Sequence, residues 1–239
     1  MSARRIVYMT VDAEPDCPPF LWTWRGIEEG MPRLLALLAE EGVPATFFTT
    51  GATAEAFPDV PAAIVKGGHE LACHGYSHES FRRMDAATAR DEIARTNAIL
   101  REHAPVTSFR APYLSFPEAF VPILAEAGFL VDSSRGAYKR NEPRIAASSG
   151  PFRLEASVTS SVLRIPHLVR DRWFAMLNSP VTLFVHPWEF VDLTRTGIRY
   201  DCRFRTGQPA LDRLRSTLQW FAARGFEFRL VHESPALAA

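Results

Sequence analysis

Short apolar runs alternate with helical segments along almost the whole chain, and few folds accommodate that alternation. Residues 6–11 are nearly all apolar, as a strand buried on both faces should be. Residues 31–42 place Leu34, Leu35, Leu37 and Leu38 at helical spacing and stop at Gly42. Further strands are expected at residues 45–50, 69–73, 108–110, 129–132, 152–155, 162–165, 181–185 and 226–231. Helices are expected over 54–66, broken by Pro58 and Pro61, from an N-cap at Asp85 to a stop at Pro105, and over 117–127, 169–177 and 209–224. Residues 135–150 and 192–206 read as polar excursions. Strand and helix in strict turn call for a parallel sheet with helices outside it. The expected fold is α/β, an eight-fold or slightly incomplete (β/α) barrel with about seven or eight parallel strands, with an open doubly wound sheet as the alternative. No repeat or composition break divides the chain, so residues 1–239 read as one domain.

Composition narrows the function classes. Hydrophobic residues make up 47% of the chain and charged ones 23%, the balance of a globular protein with a sizeable core. The formal net charge is zero, which argues against a nucleic-acid binder held by phosphate neutralisation. The three cysteines, Cys17, Cys73 and Cys202, lack CxxC spacing and form neither a disulfide framework nor a zinc ribbon. No run approaches the roughly 20 apolar residues of a membrane span. A cytoplasmic protein is the expectation.

The polar residues that end the apolar strands carry the chemistry. Asp12 and Glu14 follow the first strand, His74 and His78 the third, Arg110 and Tyr113 the fourth. Asp132 ends the fifth and His186 the penultimate one. In a parallel barrel these ends converge on one rim. The spacing of His74 and His78 puts both on one face of a helical turn, where they can reach one ion. A carboxylate with two imidazoles makes a three-ligand site with open positions. In an extended Asp12-Ala13-Glu14 both carboxylates point the same way, so one can bind metal while the other removes a proton from water. His186 can protonate a leaving group, with Asp132 fixing its tautomer, and Arg110 can keep Asp12 ionised. Cys17 is a further candidate neighbour of the metal. Trp22, Trp24 and Trp188 are candidates to stack on sugar rings.

The segments TVDAEP (10–15), HGYSH (74–78), RAPY (110–113), DSS (132–134) and HPW (186–188) resemble, in order, the five motifs of the polysaccharide deacetylase, or NodB-like, family. The resemblance implies a distorted (β/α) barrel, a divalent metal, most commonly zinc (Co2+, Ni2+ or Fe2+ being alternatives), and hydrolysis of an N-acyl group on an amino sugar. By motif, Asp12 matches the general base and Arg110 the residue paired with it. His74 and His78 match metal ligands. Tyr113 matches the position whose backbone N–H binds the oxyanion, Asp132 the partner of the acid, and His186 the acid. The chain departs from the commonest first motif, which has adjacent aspartates: Ala13 stands in the second place, and Glu14 becomes the expected ligand. Residues 23–35 (TWRGIEEGMPRLL) are also similar to deformylases of lipid-linked formamido-arabinose, which work at the inner membrane. Two other classes compete. A glycoside hydrolase would leave His74 and His78 without work, and a silent carbohydrate-binding relative would leave the whole set idle.

Overall fold

A computed structural model of the chain describes residues 4–139, 150–234 and 237. Eight strands are described: β1 (Arg5–Ala13), β2 (Thr46–Thr49), β3 (Glu70–Cys73), β4 (Ser108–Phe109), β5 (Val131–Asp132), β6 (Phe152–Arg153), β7 (Val181–Val185) and β8 (Phe226–Arg229). They form one sheet in the order β6-β5-β4-β3-β2-β1-β7, with β8 also joined to β1. Every pairing is parallel. β1 pairs with β7 on one edge and is shared on the other, β8 taking Arg5–Tyr8 and β2 taking Thr10–Ala13. The two ends of the order are drawn together by Ser157. Its N–H donates to Thr182 O and its Oγ accepts from Thr182 N–H, both at 2.9 Å. The sheet is thus curled into the distorted barrel expected.

The helices are α1 (Met31–Glu41), α2 (Gly51–Ala56), α3 (Asp59–Lys66), α4 (Ala86–Leu100), α5 (Val121–Glu126), α6 (Ser160–Leu163), α7 (His167–Phe174), α8 (Tyr200–Arg203) and α9 (Gln208–Ala222). Period-two alternation along β1 decides what each side of the sheet meets. Val7, Met9, Val11 and Ala13 join Leu34 and Leu38 of α1 and Leu214, Leu218 and Phe221 of α9 in the main core. Ile6 and Tyr8, on the opposite face, belong to a separate small cluster. Thr10 and Asp12 continue that second face, which therefore turns polar toward the rim.

Local expectations fail where tertiary context outweighs pattern. Residues 162–165 do not form a strand, because Ser160–Leu163 makes a short helix before Pro166. The 54–66 helix is divided at Phe57-Pro58 into α2 and α3, as Pro58 leads one to expect, but Pro61 does not break it and lies inside α3. The 192–206 excursion contains α8. Of the loop expected over 135–150, residues 140–149 lie outside the described residues. The Asp85 cap is as expected, its carboxylate accepting from Thr88 N–H at 2.8 Å. Among the described residues, no helix is long and apolar enough to cross a membrane.

Candidate active site and metal centre

The inward face of β1 runs out into Asp12 and Glu14, both 4% exposed. Asp12 Oδ1 accepts from Arg110 Nη1 at 2.6 Å. The guanidinium is itself fixed: Nη1 donates to Thr10 Oγ1 at 2.8 Å, Nη2 to Ser133 Oγ at 2.9 Å, and its face lies over Phe48. A buried carboxylate held this way keeps its partner and its direction.

His74 and His78 reach the same point without a helix. Gly75 and His78 both take left-handed backbone, with φ of 71° and 60°, and fold the HGYSH loop so that the rings meet. His74 Nδ1 lies 2.7 Å from Arg110 O. A carbonyl only accepts, so Nδ1 carries the proton and Nε2 is left with its lone pair unless the ring is doubly protonated. That Nε2 lies 3.2 Å from Glu14 Oε2, and His78 Nε2 lies 2.6 Å from the same oxygen. A lone pair facing a carboxylate oxygen requires a positive charge between them, whether a proton or a metal ion. The three ligand atoms all lie within 4.8 Å of one another and the three residues are buried. Two imidazoles and a carboxylate, with one tautomer already set by a backbone carbonyl, fit a divalent cation. Burial raises the Glu14 pKa, but His78, His186 and the bonds from both ligand histidines outweigh it and hold the carboxyl well below its usual range. Cys17 lines the same cavity but is not among the clustered ligand atoms.

His186 faces this group from β7. Its Nε2 lies 3.8 Å from Glu14 Oε1 and 4.0 Å from Asp12 Oδ2. Its Nδ1 lies 2.9 Å from Glu189 Oε1, which also accepts the His186 backbone N–H at 3.0 Å. Burial lowers the pKa of this imidazole, while Glu14, Glu189 and Asp12 raise it, with a net rise to about 9. A cation on Glu14 would cancel the largest of the raising causes. The expected partner, Asp132, is elsewhere engaged. It accepts from Ser134 N–H at 3.0 Å and faces Arg153 Nε at 3.9 Å, and burial raises its pKa. Glu189 takes its place because it shares the His186 turn, where a side chain three residues on folds back onto the cap. The spacing His-x-x-Glu was the sequence signal for it.

The turn that carries His186 is backed by close packing. A Cβ on Gly30 would stand 2.0 Å from Pro187 O, and one on Gly26 2.5 Å from Trp188 N. The π-helical turn Gly26–Gly30 therefore nests directly on Pro187–Phe190. Trp188 is buried, stacks on His186 at 4.8 Å, and points Nε1 at Glu14 Oε1 from 3.5 Å. Trp24 packs on Phe57. Of the three tryptophans considered for sugar stacking, Trp22 is the exposed one, at 54%. Tyr113 takes left-handed backbone (φ 60°) at the mouth and sets its ring edge-on to His78 at 4.9 Å. The cavity, of about 280 Å³, is lined by Asp12, Glu14, His74, His78, Tyr113 and His186. A wider groove of about 800 Å³ continues from His78 and Tyr113 past Trp22, Arg83 and Lys139.

The profile of the polysaccharide deacetylase family matches residues 2–131, more than half of the chain. The peptidoglycan deacetylase of Helicobacter pylori is 36% identical over 110 residues, which cover 45% of this chain and 37% of that protein. The chitooligosaccharide deacetylase of Bradyrhizobium sp. (strain ANU 289) is 28% identical over 165 residues, 68% of either chain. The match thus spans well under half of the first relative and about two thirds of the second. Among solved structures, a family 4 carbohydrate esterase from Streptomyces lividans in complex with acetate gives a TM-score of 0.62 at 18% identity, covering 93% of this chain and 90% of that one. A pseudoenzyme of the same family from Bacillus anthracis gives 0.67 at 16% identity, covering 98% and 66%. These structures share the fold, and the second shows that the fold alone does not carry activity. The sequence match and the common fold together place this chain in the polysaccharide deacetylase family.

Proposed function

We propose that the chain is a metal-dependent hydrolase that removes an N-acyl group, N-acetyl foremost, from an amino sugar of a glycan. One observation carries this reading: Glu14, His74 and His78 converge on one point beside an Asp12 held by Arg110 and a His186 held by Glu189. A divalent cation on the three ligands, zinc by the chemistry of the donor set and Co2+, Ni2+ or Fe2+ by the same chemistry, supplies Lewis-acid polarisation of a carbonyl and lowers the pKa of water. Asp12, held by Arg110, takes the proton from the attacking water. His186 delivers a proton from Nε2 to the departing nitrogen, which an amide needs because its amine leaves poorly. Tyr113, at the mouth, offers its backbone N–H to the developing oxyanion. Residues 1–239 act in this reading as one catalytic domain, since the set gathers at and just beyond the C-terminal ends of strands of one sheet.

A lipid-linked amino sugar is the second substrate class. It is favoured by the likeness of residues 23–35 to the deformylases. The support is weak, because Gly26 and Gly30 have a packing reason of their own. The experiment is amine release from N-acetyl and N-formyl amino sugars, free, oligomeric and lipid-linked, with metal analysis of the same sample. Release should stop with a chelator and return with zinc. Release indifferent to the chelator would sink the metal-dependent mechanism. Bound metal with no amine from any substrate would favour a silent carbohydrate-binding protein.

A further inference from the structure

Glu189 and Arg164 form a buried ion pair behind His186, with Glu189 Oε2 lying 2.9 Å from Arg164 Nε. The pair is nearly sealed from water, at 1% and 2% exposure. The contact is not aligned along the Nε–H, so it acts through charge rather than as a directed hydrogen bond. The other guanidinium nitrogens are directed. Nη1 donates to the carbonyls of Cys202 and Phe204 at 3.0 and 2.6 Å, and Nη2 to that of Asp201 at 2.8 Å. Burial raises the Glu189 pKa, but Arg164 and His186 outweigh it, and the carboxyl stays below its usual range. A buried ion pair is a poor way to stabilise a fold, since apolar packing of the same volume serves as well. Its place here is one bond away from a reacting imidazole.

We infer that Arg164 and Glu189 are the positioning residues of the acid: Arg164, anchored on the 201–204 backbone, holds Glu189, and Glu189 holds His186 with Nδ1–H turned away from the cavity and Nε2 turned into it. Asp132 has no part in this. The inference rests on the functional reading above for its kinetic consequence, and on geometry alone for the arrangement. It also joins parts of the cavity wall to the acid. Thr159 to Ser161, Asp201 and Cys202 line the cavity, and one guanidinium ties their two segments to the His186 turn. Whatever substrate presses against that wall acts on a unit that includes the proton donor.

The test compares two acetyl donors, an N-acetyl amino-sugar oligomer and an activated aryl acetate whose phenolate leaves without a proton. Glu189→Gln keeps the size of the side chain and removes its charge. It should lower kcat on the amide by about 10²-fold, change kcat on the aryl ester by less than about 3-fold, and leave metal content and the amide KM as they are. Arg164→Lys should show the same split to a smaller degree, because an ammonium cannot serve three carbonyls and a carboxylate at once. Equal losses on both donors, or no loss, would overturn the inference. So would a donor-selective loss in Asp132→Asn with none in Glu189→Gln. Proton NMR reads the arrangement without turnover. The His186 Nδ1–H resonance, assigned by its absence in His186→Gln, should lie far downfield and move upfield in Glu189→Gln. If it moves in Asp132→Asn instead, the arrangement is wrong. A wild type inert on every amide but with the expected resonance would sink the functional reading and leave the arrangement standing.

Discussion

Arg110 serves the two halves of the site through different atoms. Its guanidinium holds Asp12, and its carbonyl holds His74 Nδ1. Asp12, the proposed base, and His74, a proposed metal ligand, are therefore registered to each other by a single residue, and the loop after β3, left-handed at Gly75 and His78, brings in His78. This division predicts how Asp12→Asn behaves. The amide oxygen can still accept from Arg110, and no ligand atom is lost, so metal content should match that of the wild type. Turnover should fall by about 10²–10⁴-fold, the usual contribution of a general base. Metal analysis beside steady-state kinetics checks both halves. A variant that loses its metal would mean that Asp12, rather than Glu14, is the carboxylate ligand.

At the scale of elements, the π-helical turn Gly26–Gly30 and the turn Pro187–Phe190 are a matched pair. Gly30→Ala puts a methyl into Pro187 O, a backbone atom that cannot rotate away. The turns must separate, at a cost of about 1–3 kcal/mol, and amide hydrolysis should fall as His186 shifts. Urea unfolding with kinetics on the same sample measures both, and unchanged stability would show that the contact yields freely. The same elements show what sequence makes legible. β1 and β7 were readable because strands buried on both faces must be continuously apolar. The convergence of Glu14, His74 and His78 was readable because few residue types can bind metal. The HGYSH pair had the right partners but the wrong backbone: spacing four is helical geometry, yet positive φ at Gly75 and His78 folds the loop instead. Residues 162–165 carry Val, Leu and Ile in a strand-like run, yet Val162 and Leu163 close a short helix that ends before Pro166. Glu189 was missed although His-x-x-Glu spacing signals a side chain that can fold back onto its cap, because the spacing alone does not tell a buried glutamate from an exposed one. Asp132 was misplaced because a carboxylate ending a strand can satisfy its own loop, here at Ser134, before it reaches across a barrel.

The same buried charges tie the stability of the whole molecule to pH, most simply in chelator-treated protein. Glu14 has a depressed folded pKa, so its contribution is present above the unfolded value of about 4.3 and is lost as pH falls through the folded one. His186 has a raised folded pKa. Its contribution is full below the unfolded value of about 6.5 and is lost as pH rises through about 9. Other groups titrate in the same window. His232, raised by Glu70, follows the sign of His186. Cys202, lowered by its bond from Cys17, has the opposite sign, and Cys17, raised by the same bond, offsets it. The wild-type curve is therefore composite, and the difference between wild type and His186→Gln isolates the imidazole. In urea unfolding with chelator present, that difference should be constant up to about pH 6.5 and shrink steadily toward pH 9. With a divalent cation added, Glu14 no longer projects its full charge onto His186, so the shrinkage should still begin at about pH 6.5 but end at lower pH, with a smaller total change. A difference that stays flat from pH 6 to pH 10 in chelator would mean that His186 is not held protonated by its three carboxylate neighbours, and the electrostatic account of the acid would fail with it.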